Sequence, residues 1–102
     1  KTTAGGKYST AMGNETMASG WAALAMGAWT IASSDMSTAM GNGTIASGDI
    51  STAIGIGSIA SGCYSIAVGD QTKARSYDCF VLGRYNDTLT TSSQTLWHDD
   101  DP

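Results

Sequence analysis

Only a few residues in this 102-residue chain carry side chains suited to catalysis, metal binding or covalent chemistry. His98, the only histidine, opens the run His98-Asp99-Asp100-Asp101, whose carboxylates could gather a hard cation. Such a run is more often a solvated tail. A lone histidine beside a tail also lacks the rigid placement that catalysis needs, so no Ser/His/Asp arrangement forms around it. Cys63 and Cys79 lie sixteen residues apart. Strand spacing alone puts their Cα atoms roughly 8 Å apart, beyond the usual disulfide limit, unless a turn shortens the span. An even cysteine count permits a bridge outside the cell; the alternative is two buried thiols filling small sites. One histidine with two cysteines at this spacing is no zinc pattern. Asn14-Glu15-Thr16, Asn42-Gly43-Thr44 and Asn86-Asp87-Thr88 each fit the acceptor pattern for N-glycosylation, although asparagine also suits a turn in its own right. The glycine-rich segments lack a phosphate-loop lysine and a following helix. No catalytic residue, metal site or cofactor is assigned, and the chain reads as a non-enzyme.

Composition narrows the remaining classes. The net charge is −4, and the basic residues Lys1, Lys7, Lys73, Arg75 and Arg84 form no long run, which argues against a nucleic-acid partner. No apolar segment approaches the roughly 20 residues of a membrane helix. The chain opens with neither an initiator methionine nor a signal peptide, which reads as a mature product or an excised piece. Long apolar side chains are scarce, while Ala, Gly, Ser and Thr dominate. Such a chain must stack closely, borrow apolar surface from partners, or do both.

The positioning element is a repeat. Glycines recur at Gly13, Gly27, Gly41, Gly55, Gly69 and Gly83, a constant step of fourteen. Ala11, Ala25, Ala39, Ala53, Ala67 and Val81 precede them by two residues, and Ala4, Ala18, Ala32, Ala46, Ala60 and Ala74 form a further column. Six units in register cover residues 1–83, leaving 84–102 as a cap or an inter-subunit connecting tail. A fixed short period marks a solenoid. Fourteen residues are too few for a helical hairpin, and the Gly, Ser and Thr content disfavours helix. Alternation over Ser9–Gly13 and Thr16–Gly20 predicts two strands per unit, with turn-forming residues between them. The fold class is all-β: a parallel β-roll of six coils.

Parity sorts each unit into an inside and an outside. Ser9, Ala11, Gly13, Thr16, Ala18 and Gly20 face a narrow interior that only small side chains fill. The opposite parity carries Met12, Met26, Met40, Ile54, Val68 and Leu82 in one column, and Met17, Ile31, Ile45 and Ile59 in another. An unbroken apolar row on the exterior is a liability for a monomer, so the first column reads as an oligomer interface with other copies of this chain. Trp21, Trp29, Tyr8, Tyr64 and Tyr77 fall at or near turns, where they either pack between rolls or bind sugars. The column Thr2, Thr16, Thr30, Thr44 raises an ice-binding reading, but parity turns it inward. Thr10, Thr38 and Thr52 alternate with Leu24 and Ile66, so no uninterrupted Thr face exists.

The segments "YSTAMGNETMASG", "MSTAMGNGTIASG", "ISTAIGIGSIASG" and "YSIAVGDQTKARS" resemble the fourteen-residue S-x-A-x-G repeat of trimeric autotransporter adhesin heads (YadA-like heads) over residues 1–83. The resemblance implies a left-handed roll, a homotrimer around a shared axis, and an extracellular or cell-surface location with an adhesive or structural role toward a matrix or surface ligand. By position it places Thr10, Met12, Leu24, Met26, Thr38, Met40, Thr52, Ile54, Ile66, Val68, Phe80 and Leu82 at the trimer interface. Ala23 replaces a serine of the pattern, and Ser34 and Ser76 replace a turn glycine. Unit six, with Phe80, Val81 and Leu82, is heavier and reads as a terminal coil. The family's stalk and membrane-anchoring barrel have no counterpart in the sequence. The ends of the stack would expose unpaired strands, and an uncapped solenoid joins head to tail into an open filament.

Overall fold

The computed structural model describes residues 1–84. They form twelve strands in two sheets of parallel strands. The short strands are β1 (Thr3–Ala4), β3 (Met17–Ala18), β5 (Ile31–Ala32), β7 (Ile45–Ala46), β9 (Ile59–Ala60) and β11 (Lys73–Ala74). The long strands are β2 (Thr10–Asn14), β4 (Leu24–Ala28), β6 (Thr38–Asn42), β8 (Thr52–Ile56), β10 (Ile66–Asp70) and β12 (Phe80–Arg84). Each strand pairs with the one a coil away in a register of fourteen, such as Thr38 with Thr52 and Ile45 with Ile59. The chain is thus a parallel β-solenoid of six coils.

The interior is built as the parity of the sequence requires. Its buried apolar residues are all alanines, including Ala25, Ala39, Ala53 and Ala67 from the long strands and Ala18, Ala32, Ala46, Ala60 and Ala74 from the short ones. Thr16, Thr30, Thr44, Ser58 and Thr72 are also inside, with no exposed surface. Burying a methyl group contributes only about 0.8 kcal/mol, so the alanine core is a thin source of stability. The inter-coil hydrogen-bond ladder adds to it along the whole stack.

The two strands of a coil differ in length from the pattern of alternation. The first runs Thr10–Asn14, one residue later than Ser9–Gly13, and the second is only Met17–Ala18. Beyond Ala18, two successive N–H groups converge on one acceptor: Ser19 and Gly20 both donate to the Ala32 carbonyl. Gly5 and Gly6 share Ala18, and Ser61 and Gly62 share Ala74, in the same way. Regular pairing stops where one carbonyl serves two donors, although side chains keep alternating.

Both corners use left-handed backbone. One corner has positive φ at Tyr8, Ala22, Met36, Ile50, Tyr64 and Asp78, and the other at Glu15, Trp29, Gly43, Gly57 and Gln71. The reversal aims these N–H groups back along the stack. Ala22 donates to Lys7, Met36 to Trp21, Trp29 to Asn14 and Gly43 to Ala28. The ladder therefore passes around the corners instead of leaving orphaned donors there.

Candidate functional site

In three units the serine of S-x-A-x-G closes a turn, whereas the Ser51 Oγ is buried without a partner. Ser9, Ser37 and Ser65 each place Oγ 2.6 Å from the carbonyl three residues earlier, on Gly6, Ser34 and Gly62. The same carbonyls accept the backbone N–H of these serines, in the four-residue pattern of a type II turn with positive φ at its third residue. At Ala23 the N–H still reaches the Gly20 carbonyl at 3.3 Å, without the added hydroxyl. Ser34, which stands at a turn-glycine position, leaves the inter-coil ladder: its N–H donates to the Ser37 Oγ, while Gly20 and Gly48 donate to Ala32 and Ala60. A Cβ on Gly20 or Gly48 would meet the carbonyl oxygen above at 2.0 or 2.2 Å, so glycine is the residue that lets the coils approach this closely here, and Ser34 departs from the hydrogen bonding of those glycines.

The outer face of the long-strand sheet is the surface on which the anticipated interface residues converge. Two columns stand side by side there. One is Thr10, Leu24, Thr38, Thr52, Ile66 and Phe80, paired strand by strand; the other is Met12, Met26, Met40, Ile54, Val68 and Leu82. The central members are half-buried by their own neighbours in the stack. The end members are more exposed: Met12 is 53% exposed, and Phe80 and Leu82 are 55% and 67% exposed. These side chains share one sheet face and carry no charge.

The other features separate from that face. Asn14 and Asn42 are both exposed at the same corner, two coils apart, while the hydroxyl residues of their sequons, Thr16 and Thr44, are buried. Cys63 is exposed at the opposite corner, so it does not fill a buried site. Cys79 is half-buried against the alanine core, and both are free thiols. A spacing of sixteen steps two residues past the coil repeat, from a corner position into the inward-facing column. Tyr8 and Trp21 meet edge to face at 6.0 Å between ring centroids, and Tyr64 and Tyr77 do so at 5.5 Å. The aromatic side chains of that corner pack against one another within the roll. The Thr16, Thr30, Thr44 and Thr72 column is interior, and so presents no surface to ice. Asn86 and the run His98–Asp101 lie outside the described residues. Among the described residues, no group of three metal-ligating side chains gathers, and no helix is long and apolar enough to cross a membrane.

Two features had only faint sequence signals. The positive φ at nine non-glycine positions is hinted at by Gly43 and Gly57 in one corner column, where Glu15, Trp29 and Gln71 share the backbone shape. The sequence marks the serines only as a recurring inward-facing column, and their bond to the carbonyl three residues earlier carries no signal of its own there.

The geometry of a fourteen-residue coil with S-x-A-x-G turns agrees with comparison against known families. A model described as the YadA head domain repeat (2 copies) matches residues 4–28, 18–44, 32–58 and 46–72, successive windows that step by one coil. No curated protein matches the chain. The matched windows together run from residue 4 to residue 72, well over half of the sequence, and the chain belongs to the YadA head repeat family.

Proposed function

We propose that this chain is an extracellular structural and adhesive protein: a left-handed β-roll that assembles as a homotrimer and stacks end to end into a fibre on or outside the cell. The observation that carries the reading is the pair of uncharged columns on the long-strand sheet, in which Met26, Met40, Ile54 and Val68 continue without a polar break. Three copies presenting this face to a common axis would cover it, and with it the exposed ends at Met12 and Leu82. Membership of the YadA head family supports a trimeric, surface-located adhesin. Its partners are then other copies of itself and a matrix or surface ligand, engaged by many weak contacts repeated along the assembly. The strand edges of β1 and β2 at one end, and of β11 and β12 at the other, pair with no further strand among the described residues and would supply the surfaces for end-to-end stacking.

Negative-stain electron microscopy of the intact chain tests the reading. Uniform filaments one roll-trimer wide are the expected result. Discrete short trimers would overturn the fibre, and would favour residues 84–102 as a cap and the chain as one head segment of a larger adhesin. Single rolls would overturn the assembly altogether.

A further inference from the structure

The charges of this chain are sorted by position. All five basic residues lie in the first and last coils, Lys1 and Lys7 in residues 1–14 and Lys73, Arg75 and Arg84 in residues 71–84; from Tyr8 to Thr72 there is none. The carboxylates of the roll are Glu15, Asp35, Asp49, Asp70 and Asp78, so five positive side chains against five negative leave residues 1–84 neutral. The whole net charge of −4 therefore belongs to residues 85–102, as Asp87, Asp99, Asp100 and Asp101.

The two basic ends differ. In the last coil Arg84 lies 3.6 Å from the Asp70 carboxylate, Lys73 is engaged as well, and Asp78 belongs to the same coil. The first coil has two lysines and no carboxylate. Its terminal ammonium takes Glu15 from the coil above, and the Lys7 ammonium lies 5.5 Å from the centroid of the exposed Tyr8 ring. End-to-end stacking brings these two ends together. Five basic side chains then gather around three carboxylates, Glu15, Asp70 and Asp78, and the surplus of like charge opposes the junction.

We infer that residues 85–102 supply the missing countercharge: the run Asp99-Asp100-Asp101 of one copy docks on the first coil of the next copy in the stack, with Lys7 as its main contact. The inference rests on the fibre proposed above. The tail leaves the roll from β12, at the edge where the next copy would sit. Asp99 is fifteen residues beyond Arg84, a reach of about 50 Å in extended chain. One coil spacing of roughly 4.8 Å and the length of one five-residue strand, about 17 Å, separate Arg84 from the corner of that copy's Lys7. The path down its own roll to its own Lys7 passes Asp70, Asp49, Asp35 and Glu15 and no basic residue between them, so the run is repelled along it. Exposed ion pairs are individually weak, but each junction between trimers repeats the contact three times.

Carbodiimide coupling of the full chain, which joins a carboxylate and a lysine amine as an amide while the carbodiimide takes up the water, tests this. The expected products are a cross-link from the Asp99–Asp101 run to Lys7 by peptide mass mapping, and a covalent ladder that runs past three chains under denaturing conditions. A ladder that closes at three chains would place the contact inside one trimer and overturn the inference. Chains carrying Lys7→Arg are also co-expressed with chains carrying Asp99→Asn, Asp100→Asn and Asp101→Asn. Neither can form this cross-link alone, so its appearance in the mixture requires two copies. A cross-link in the wild type but not in the mixture would put each tail on its own roll, which also overturns the inference. Electron microscopy of the same samples separates the two readings. Fibres without the cross-link would overturn the clasp and leave the fibre standing, whereas neither fibres nor cross-link would overturn both. As a second readout, the triple asparagine variant, or about 0.5 M salt on the wild type, should shorten the fibres about fivefold or more, and unchanged lengths would contradict the contact.

Discussion

The carbonyl oxygen of Gly55 stands 2.0 Å from the point a Cβ on Gly41 would occupy. The same relation links Gly13 to Gly27 and Gly27 to Gly41, also at 2.0 Å. Backbone at φ 118 on Gly41 adds a second reason for glycine there. The glycine column is thus a seam of close backbone approach between coils. Gly41→Ala should destabilise the roll by about 3 kcal/mol or more, through strain and a displaced coil. Gly43→Ala faces nothing nearer than 3.9 Å and should cost only the left-handed penalty, about 1 kcal/mol. Denaturant unfolding of the two variants checks the contrast, and equal losses would contradict it.

Ala23 interrupts the turn-closing serines, yet its N–H already points at the Gly20 carbonyl. Ala23→Ser should therefore add the hydroxyl contact seen at Ser9, Ser37 and Ser65 and stabilise the chain by about 0.5–1 kcal/mol. The reverse change, Ser37→Ala, should cost a similar amount, since Ser37 also accepts the displaced N–H of Ser34. Thermal unfolding midpoints moving in opposite directions would bear this out.

Ile50 holds φ 54 although it is β-branched. That conformation costs roughly 1–2 kcal/mol for an ordinary residue and less for asparagine. Ile50 is also 39% exposed, so little burial is forfeited. Ile50→Asn should raise stability by about 1 kcal/mol, and a loss in denaturant midpoint would show that the isoleucine packs more than it strains.

Interior hydroxyls are of two kinds. Ser58 Oγ bonds the Gly69 carbonyl at 2.9 Å and receives Thr72 Oγ1 at 2.9 Å, whereas Thr30 Oγ1 is buried without a partner. Thr30→Val removes an unpaired polar atom at nearly constant shape and should stabilise by about 1 kcal/mol, while Ser58→Ala should destabilise by a comparable amount. If both variants lost stability alike, Thr30 would have to be hydrogen-bonded in solution.

The thiols should differ in reactivity. Cys63 is exposed and Cys79 is packed against the core, so maleimide should label Cys63 fast and Cys79 slowly in the native chain. Absence of labelling at both, restored by reductant, would reveal a bridge.

The architecture was legible because the period of fourteen and the parity of Ala25 against Met26 are written in every unit, and small residues in fixed columns leave one packing solution. The strand lengths were not, because alternation of side chains persists past Ala18 while the hydrogen-bond ladder stops there, and sequence reports only the former. The corners hid their backbone shape because Tyr8, Trp29 and Ile50 are not residues that announce positive φ. The two outer columns of the long-strand sheet were visible as side-chain types on one strand face.

Sedimentation equilibrium of the intact chain beside its Met40→Lys variant tests the trimer most directly. Met40 lies on the outer face of β6, midway along the column from Met12 to Leu82. A lysine there should leave the alanine interior untouched and place three charges against one another at the axis. The account predicts a wild-type mass of three chains or multiples of three, and a variant that retains β-structure but sediments as one chain. A monomeric wild-type chain, or a variant that still sediments as a trimer, would contradict it.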